Sequence, residues 1–556
     1  MNLPPQKTIL KRICRPRFET LVQLVLILAL AFVIRWPMMI YAYRHMDSDL
    51  AVDGLTLREF VQNNHWRWHY PGTPHIGTLP MLISLPAVAI WGDGPEALVF
   101  AGVAANLILI IGLFLLIKRA YGIKPACCSA LVLAAGGLGQ VWLSARVTGG
   151  HLLAAAWISW GWLIWSYLIT KKPLGPWLLF GLFCAVGIWA DSIFLLGMAG
   201  LGMGSLYMAW SLRSSIGLAR RLLQALLFIG VLMLGPAMSK LGDGYNAYGS
   251  QFEITTDRSA LWQHARILGA DCLPRLLVGR TLEMGSPEIT MTHQKPTDYL
   301  SSNLAALMVS ILMGIHLLLI FLRINRLARR GSPQIGEPVP QPVWLRPMWA
   351  GLMFTSLLTL TAFEFNKNIF NADNYRYLIP LIPLLGCLYG LFATPGRASA
   401  MSRSLLIVLA ILMSLDVHFW QAKNGFHTMP LTATDEKPED IRKSRLISLL
   451  TEPQTGPLPA ITGPFEADYW ETYRALYLAS KPVTLGKPFG FYPNRFPDQS
   501  PVNPKFVVIS SSPASMQMIP ILRQEGARLF TDKNLMIYER ATGQPPALPK
   551  PSASSK

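Results

Sequence analysis

Three carboxylates fall within seven residues in the stretch Tyr43-Arg44-His45-Met46-Asp47-Ser48-Asp49-Leu50-Ala51-Val52-Asp53, directly after the first long apolar run. A carboxylate at a membrane edge can take a proton from a hydroxyl or hold a divalent cation. With a helix beginning at Leu50, Asp49 and Asp53 share a face, and Asp47 precedes the helix, where it can share a ligand with Asp49. The plainer reading is a helix start, with Ser48 or Asp49 as cap and the acids favoured by the helix dipole.

Three other stretches carry polar chemistry next to apolar runs. Trp68-His69-Tyr70-Pro71-Gly72-Thr73-Pro74-His75-Ile76-Gly77 is a turn rich in Gly, Pro and aromatic residues that folds back toward the membrane. Its Tyr70 and His75 suit a sugar or a phosphate, and a structural hydrogen bond is the alternative for His75. Arg146, Thr148 and His151 lie in the tight turn between the third and fourth apolar runs. A charge there is either a snorkelling side chain or a phosphate contact. In Asn374-Tyr375-Arg376-Tyr377-Leu378-Ile379-Pro380-Leu381-Ile382-Pro383, Arg376 sits between two tyrosines. That is an interfacial aromatic belt, or a site at the depth of a lipid headgroup phosphate with Tyr375 beside it, and the prolines free backbone groups to line a cavity.

The elements that must position these groups are membrane helices. The 556 residues are 52% hydrophobic and 14% charged, against about a quarter charged in a soluble protein. The net charge of +18 lies between apolar runs, so it reports topology and not nucleic-acid binding. The six cysteines have no disulfide or zinc spacing. The basic stretch Lys7 to Arg17 precedes an apolar run with no small-residue cleavage site, as in a retained anchor.

Taking roughly 20 apolar residues as a span, about eleven are expected. They run Leu21 to Tyr43, Ala97 to Ile117, Ala126 to Ser144, Leu152 to Ile169, Trp177 to Ala190, Ile193 to Trp210, Leu222 to Met238, Leu304 to Leu322, Trp344 to Phe363, Tyr377 to Leu391 and Leu405 to Trp420. Basic clusters such as Lys11, Arg12, Arg15 and Arg17, Lys171 and Lys172, and Arg323, Arg326, Arg329 and Arg330 fall in alternate loops. This puts the N-terminus in the cytoplasm and the C-terminus outside.

The expected organisation is a basic cytoplasmic N-terminus over 1–20 and a transmembrane domain over 21–420, with long outer loops at 44–96 and 239–303. An extracytoplasmic α/β domain follows over 421–541, and a disordered tail over 542–556. Leu79 to Trp91, apolar but short and carrying Pro80 and Pro86, is expected along the interface, and an amphipathic helix near Ala260 to Leu277. In the last domain, strands are expected at Phe506 to Ile509 and Leu535 to Tyr538, and helices at Ile441 to Leu450 and Asp468 to Leu478. The scarcity of charge inside the runs, with no internal repeat and no paired broken helices, argues against an ion-coupled transporter.

Taken in order, these features resemble the GT-C superfamily of multi-spanning glycosyltransferases, which includes protein O-mannosyltransferases and the lipid A aminoarabinose transferase. The resemblance is carried by Ser48-Asp49 with Ala51 and Gly54-Leu55, by the Tyr70 to Gly77 turn with Thr78-Leu79, by Gly187-Ile188-Trp189-Ala190-Asp191, by Arg376 to Pro383, and by Ala467-Asp468-Tyr469-Trp470 with Ala475. It is closest to bacterial mannosyltransferase-like membrane proteins.

The resemblance implies an integral protein of the bacterial inner membrane that moves a sugar, with inversion, from a polyprenyl-phosphate donor to a glycan, lipid or protein acceptor on the outer face. Asp49 takes the place of the first-loop catalytic acid, as base or as metal or acceptor orienter. Asp47 or Asp53 are the candidates to replace a second carboxylate, because Leu50 stands where many relatives have Glu. Relatives also commonly have Gln near Thr73, Tyr near His75 and Glu near Pro80. Arg376 and Arg146 would hold the phosphate, with Tyr70, His75, His151 and Tyr375 toward substrate, and no cofactor is implied beyond a divalent metal at Asp47 and Asp49. The rival readings are a non-catalytic membrane scaffold of the same fold and a lipid or polysaccharide transporter.

The basic-loop pattern predicts that Asp47, His75, Gln251 and Trp470 lie on one side of the membrane and Arg12, Lys171 and Arg326 on the other. Cysteines introduced at positions 75 and 470 should react with an impermeant reagent from outside, and those at 171 and 326 only after permeabilisation. The reverse pattern would overturn the architecture.

Overall fold

The computed structural model describes residues 6–147, 151–169, 175–211, 234, 253–277, 342–369, 371–394, 399–423, 426, 447, 449–451, 461, 463–482, 486–489, 504–509, 513–525, 527–532 and 535–540. Contacts divide the chain into two compact units. One comprises Met1–Tyr41, Pro74–Ala87 and Val99–Met429, and the other Ala42–Thr73, Val88–Leu98 and Pro430–Lys556. Thus much of the first long loop groups with the C-terminal part of the chain.

In chain order the elements are α1 (Gln6–Ile40), α2 (Ser48–Asn63), β1 (His69–Tyr70), β2 (Thr73–Gly77), α3 (Leu79–Trp91), α4 (Pro95–Tyr121), α5 (Ile123–Ala135), α6 (Leu138–Ser144), α7 (Leu152–Leu168), α8 (Gly175–Ala190), α9 (Phe194–Ser211) and α10 (Arg258–Ile267). After a π-helical turn at Leu268–Cys272 come α11 (Leu273–Leu277), α12 (Leu345–Phe365), a 3-10 helix at Ala372–Leu381, α13 (Ile382–Phe392) and α14 (Ser399–Lys423). The C-terminal elements are β3 (Phe465–Asp468), α15 (Tyr469–Leu478), β4 (Gly486–Phe489), β5 (Phe506–Ile509), α16 (Pro513–Gln524), β6 (Arg528–Asp532) and β7 (Leu535–Glu539).

Among the described residues, five helices are long and apolar enough to cross a membrane: Phe18–Ile40, Pro95–Tyr121, Leu345–Phe365, Asp373–Phe392 and Ala400–Ala422. The expected fourth to sixth spans form the shorter apolar helices Leu152–Leu168, Gly175–Ala190 and Phe194–Trp210. At about 1.5 Å per residue, 16 or 17 residues reach roughly 25 Å, less than the roughly 30 Å hydrocarbon core. The expected seventh and eighth spans, Leu222 to Met238 and Leu304 to Leu322, lie outside the described residues apart from Leu234, as do most of Ile441 to Leu450 and the tail from Thr542.

The third span departs from expectation. Instead of one helix from Ala126 to Ser144, α5 and α6 meet at a bend of 75°. The bend falls at Gly136-Gly137, where Gly136 has φ +60 and ψ 149, a conformation open to glycine and costly for other residues. The carbonyl freed there is taken by Arg35, which is fully buried in α1. Its Nη1 donates to Ala134 O at 2.7 Å and to Ala31 O at 2.9 Å. With the Asn106 amide oxygen turned toward the guanidinium, Nε and Nη2 lie 3.1 and 3.3 Å from it. A Cβ at Gly136 would stand 3.1 Å from Arg35 Nη2, so the glycine also makes room for this charge.

Helices α9 and α12 approach through small residues: a Cβ on Gly200 would collide with Thr355 Oγ1, and one on Gly351 with Trp162 and the Gly200 carbonyl. Close backbone approach of this kind is how helices associate where no hydrophobic effect drives them together.

In the second unit, five strands form one sheet in the order β4-β3-β5-β7-β6. β3 pairs in parallel with β4 and β5, and β7 is antiparallel to both β5 and β6. All four residues of Phe506-Val507-Val508-Ile509 are buried, the continuous apolar pattern of a strand covered on both faces. Buried Arg540 closes the sheet end by pairing with Glu466 and Glu525, each at 3.1 Å.

Helix α2 starts on Asp47, whose Oδ1 accepts from Leu50 N at 2.9 Å. The cap is therefore Asp47 and not Ser48 or Asp49. Helix α15 packs against α2 through Gly54, where a Cβ would come 2.5 Å from the Tyr477 ring. Replacing Gly54 by Leu should cost about 1–3 kcal/mol through overpacking. This is measurable as a lowered unfolding midpoint of purified protein, and it should shrink in a Tyr477→Ala background. An unchanged midpoint would show that the two helices do not meet there.

Candidate functional site

The acid loop belongs to the second unit and is held at both ends by α15. Ahead of Asp47, buried Arg474 donates from Nε to Met46 O at 2.9 Å. Behind Asp53, the Tyr477 ring sits against Gly54, and its hydroxyl donates to Asp93 O at 2.8 Å. Arg58, one turn further along α2, completes the clasp. Its Nε meets Asp93 Oδ2 at 3.1 Å, its Nη2 donates to Tyr477 O at 3.0 Å, and its guanidinium lies 4.6 Å over the Tyr477 ring. Burial pushes the Tyr477 hydroxyl above its ordinary range, with Arg58 opposing, so it stays a proton donor to Asp93 O.

Between these anchors the three acids differ. Asp47 is spent on the cap, Asp53 is buried, and Asp49 lies half-buried in the first turn of α2. Tyr70 of the following turn is buried, 1% exposed, and its carbonyl accepts from Thr73 Oγ1 at 3.2 Å. Among the described residues no three His, Cys, Asp or Glu side chains form a metal-ligand group.

The other predicted residues belong to the first unit, where arginines collect around Tyr375. Tyr375 is 1% exposed and donates to Gly139 O at 3.1 Å, fixing the 3-10 helix to α6. Arg146, Arg275 and Arg376 all lie within electrostatic reach of it. Arg275 pairs with Asp373 at 3.1 Å, Arg376 lies 5.3 Å over the Tyr377 ring, and Arg146 lies 5.1 Å over the Trp142 ring. Asn371 starts the 3-10 helix, its Oδ1 accepting from Asp373 N at 3.0 Å while Asn374 Oδ1 accepts from Asn371 N at 3.0 Å. Guanidinium groups are the side chains suited to holding phosphate oxygens.

His151 adjoins this group. Its ring lies 5.7 Å from that of Tyr377, and its Nδ1 is 2.9 Å from Asp191 Oδ2, with side-chain exposures of 3% and 4% for the pair. Asp191 Oδ1 accepts from Ile193 N at 3.0 Å, and Ser192 N donates to His75 O at 3.1 Å. The Trp189 side chain fills the space at Gly77. The turn that carries His75 is thus tied to the segment that carries Asp191.

Sequence spacing alone did not single out Arg275, Arg474 or the partnership of Asp191 with His151. Asp191 entered only within the Gly187 to Asp191 segment that carries the resemblance, as a carboxylate directly after an apolar helix. Thr148 and Gln251 lie outside the described residues, as do the side chains of Tyr469 and Trp470.

No protein-family model matches the sequence, and no curated protein does. Solved structures do. ArnT from Cupriavidus metallidurans bound to undecaprenyl phosphate matches with a TM-score of 0.58 at 12% identity, over 93% of this chain and 98% of that one. The same enzyme in its apo state matches with a TM-score of 0.53 at 12% identity, over 92% and 97%. Archaeal oligosaccharyltransferase AglB from Archaeoglobus fulgidus, in complex with an inhibitory peptide and a dolichol-phosphate, gives 0.45 at 12% identity, over 95% and 75%. The chain therefore shares its fold with ArnT, along nearly the whole length of both chains.

Proposed function

We propose that this protein transfers a sugar from a polyprenyl-phosphate donor to a hydroxyl acceptor at the outer face of a bacterial inner membrane. The observation that carries this reading is the gathering of Arg146, Arg275 and Arg376 around Tyr375 in an apolar bundle. It is supported by the likeness in fold to an enzyme solved with undecaprenyl phosphate. The alternation of basic loops supports a cytoplasmic N-terminus and an outer C-terminal α/β domain.

In this reaction the acceptor oxygen attacks the anomeric carbon as the bond from that carbon to the phosphate oxygen breaks. The electron pair leaves with the phosphate, and the configuration inverts. The developing charge on the phosphate is what guanidinium groups stabilise, Arg376 and Arg146 foremost. The acceptor proton passes to the Asp49 carboxylate. Asp49 is preferred because the resemblance puts it in the place of the first-loop acid and because it is half-buried where Asp53 is buried. Tyr70, His75, His151 and Tyr375 are the residues proposed to shape the sites for sugar and headgroup. The acceptor is a glycan, a lipid or a protein.

A non-catalytic scaffold of the same fold is the second reading, favoured by Leu50 where relatives have Glu and by the use of Asp47 as a cap.

Losing one charge-assisted phosphate contact should weaken binding of a radiolabelled polyprenyl phosphate to Arg376→Ala or Arg146→Ala protein by about 1.5–3 kcal/mol. Unchanged affinity in both variants would leave them as snorkelling cations. Asn replaces Asp49 without the power to accept a proton. Asp49→Asn should therefore keep expression and thermal stability while transfer falls about a hundredfold or more. Transfer at the wild-type rate would remove Asp49 from catalysis, and no transfer by the wild-type protein to any cell-surface glycan, lipid or protein would favour the scaffold.

A further inference from the structure

We propose that His151, oriented by Asp191, donates a hydrogen bond from Nε2 to a non-bridging oxygen of the lipid phosphate, which makes Asp191 a positioning residue for the headgroup site. The proposal rests on the reading of this protein as binding a polyprenyl phosphate.

The two side chains make a 2.9 Å contact out of water. Taking both groups out of water is costly, and ordinary helix capping does not account for it. Asp191 uses Oδ1 to accept from Ile193 N at the start of α9, which leaves Oδ2 for the imidazole. His151 precedes α7 but makes no side-chain capping bond there. It also has φ +48, a left-handed backbone that glycine or asparagine adopts more readily. The chain thus holds a strained residue where a turn needs none of its side chain, a pattern that marks functional positions.

The direction of the imidazole follows from its partner. A carboxylate at Nδ1 takes the proton on that nitrogen and leaves Nε2 for a second partner, as buried acids do for histidines elsewhere. One aromatic ring relates that partner to the arginine group: Tyr377 has His151 at 5.7 Å between ring centroids and the Arg376 guanidinium at 5.3 Å. A ring carrying a proton on each nitrogen would donate from Nδ1 to Asp191 and from Nε2 to the phosphate, adding a directed donor to the more diffuse charge of Arg376. No proton need move, because the lipid phosphate leaves with the electron pair of its bond to the sugar.

The test measures binding of decaprenyl phosphate and of uncharged decaprenol to the purified full-length protein. The variants are Asp191→Asn, His151→Asn, the double variant and Arg376→Ala. Asn at 191 can still accept from Ile193 N but offers no carboxylate to the imidazole, and Asn at 151 tolerates the left-handed backbone, so both should fold. Each single variant should bind decaprenyl phosphate about tenfold or more weakly. The double variant should lose little beyond the larger single loss, and decaprenol binding should stay the same throughout. Wild-type affinity of Asp191→Asn for decaprenyl phosphate would overturn the proposal, as would equal losses for the two lipids, which would mark a purely structural pair. If Arg376→Ala loses affinity and the His151 and Asp191 variants do not, the arginine site stands and this proposal falls. A wild-type protein that does not prefer decaprenyl phosphate to decaprenol would remove the donor reading itself, and the proposal with it.

Discussion

A guanidinium buried among apolar helices has to find oxygen, and the way Arg35 does so shapes the first unit. Left without partners at that depth it would cost several kcal/mol. Its bonds to Ala31 O and Ala134 O, with Asn106 alongside, are available only because α5 stops at Gly136 and leaves a carbonyl without its helical donor. Arginine and helix break satisfy each other. The break in turn swings α6 aside, so that Gly139 receives the Tyr375 hydroxyl and Gln140 Nε2 donates to Leu276 O at 3.2 Å. The segments that bear Arg275 and Arg376 are thereby attached to the same short helix. The segments that bear Arg275 and Arg376 are thus held in part through a third arginine elsewhere in the bundle.

Much of the helical architecture is legible in the sequence because apolarity over some twenty residues is a strong local signal. The same averaging hides the break: a window across Ala126 to Ser144 stays apolar whether or not Gly136-Gly137 bends the chain through 75°. Arg376 could be picked out because its tyrosine neighbours mark an interface. Asp49 could be picked out from the density of acids around it, although the division of labour between Asp47 and Asp49 depends on a single hydrogen bond that spacing does not decide. The contact of His151 with Asp191 joins residues 40 apart in sequence, and nothing in either stretch pairs the two. Arg474 and Tyr477 sit on an amphipathic helix like many others, and nothing local indicates that they grip the acid loop.

The two compact units divide the candidate chemistry by chain segment. The arginines, His75 and the His151–Asp191 pair belong to the helical unit, and the three acids belong to the unit that contains the sheet. Within the second unit the residues of α2 from Leu50 to Leu57 are all buried, Asp53 and Thr56 among them, and Asp49 in its first turn is half-buried. That helix takes its place from α15 and from Asp93, partners that lie at the far end of the chain and beyond the intervening turn.

The clasp between α2 and α15 also sets an order of events during synthesis. Arg58 and Tyr477 are 419 residues apart, so the acid loop leaves the ribosome long before the helix that seats it. At about 5–20 residues per second the wait is on the order of half a minute. Throughout it Gly54 has no tyrosine ring against it and the Met46 carbonyl no guanidinium. The apolar face of α2 must meanwhile be covered by lipid, a chaperone or a temporary fold of its own. A chain cut short between α14 and α15 would retain its acids and the arginines at 146, 275 and 376 but lack the partner that holds the acid loop in place.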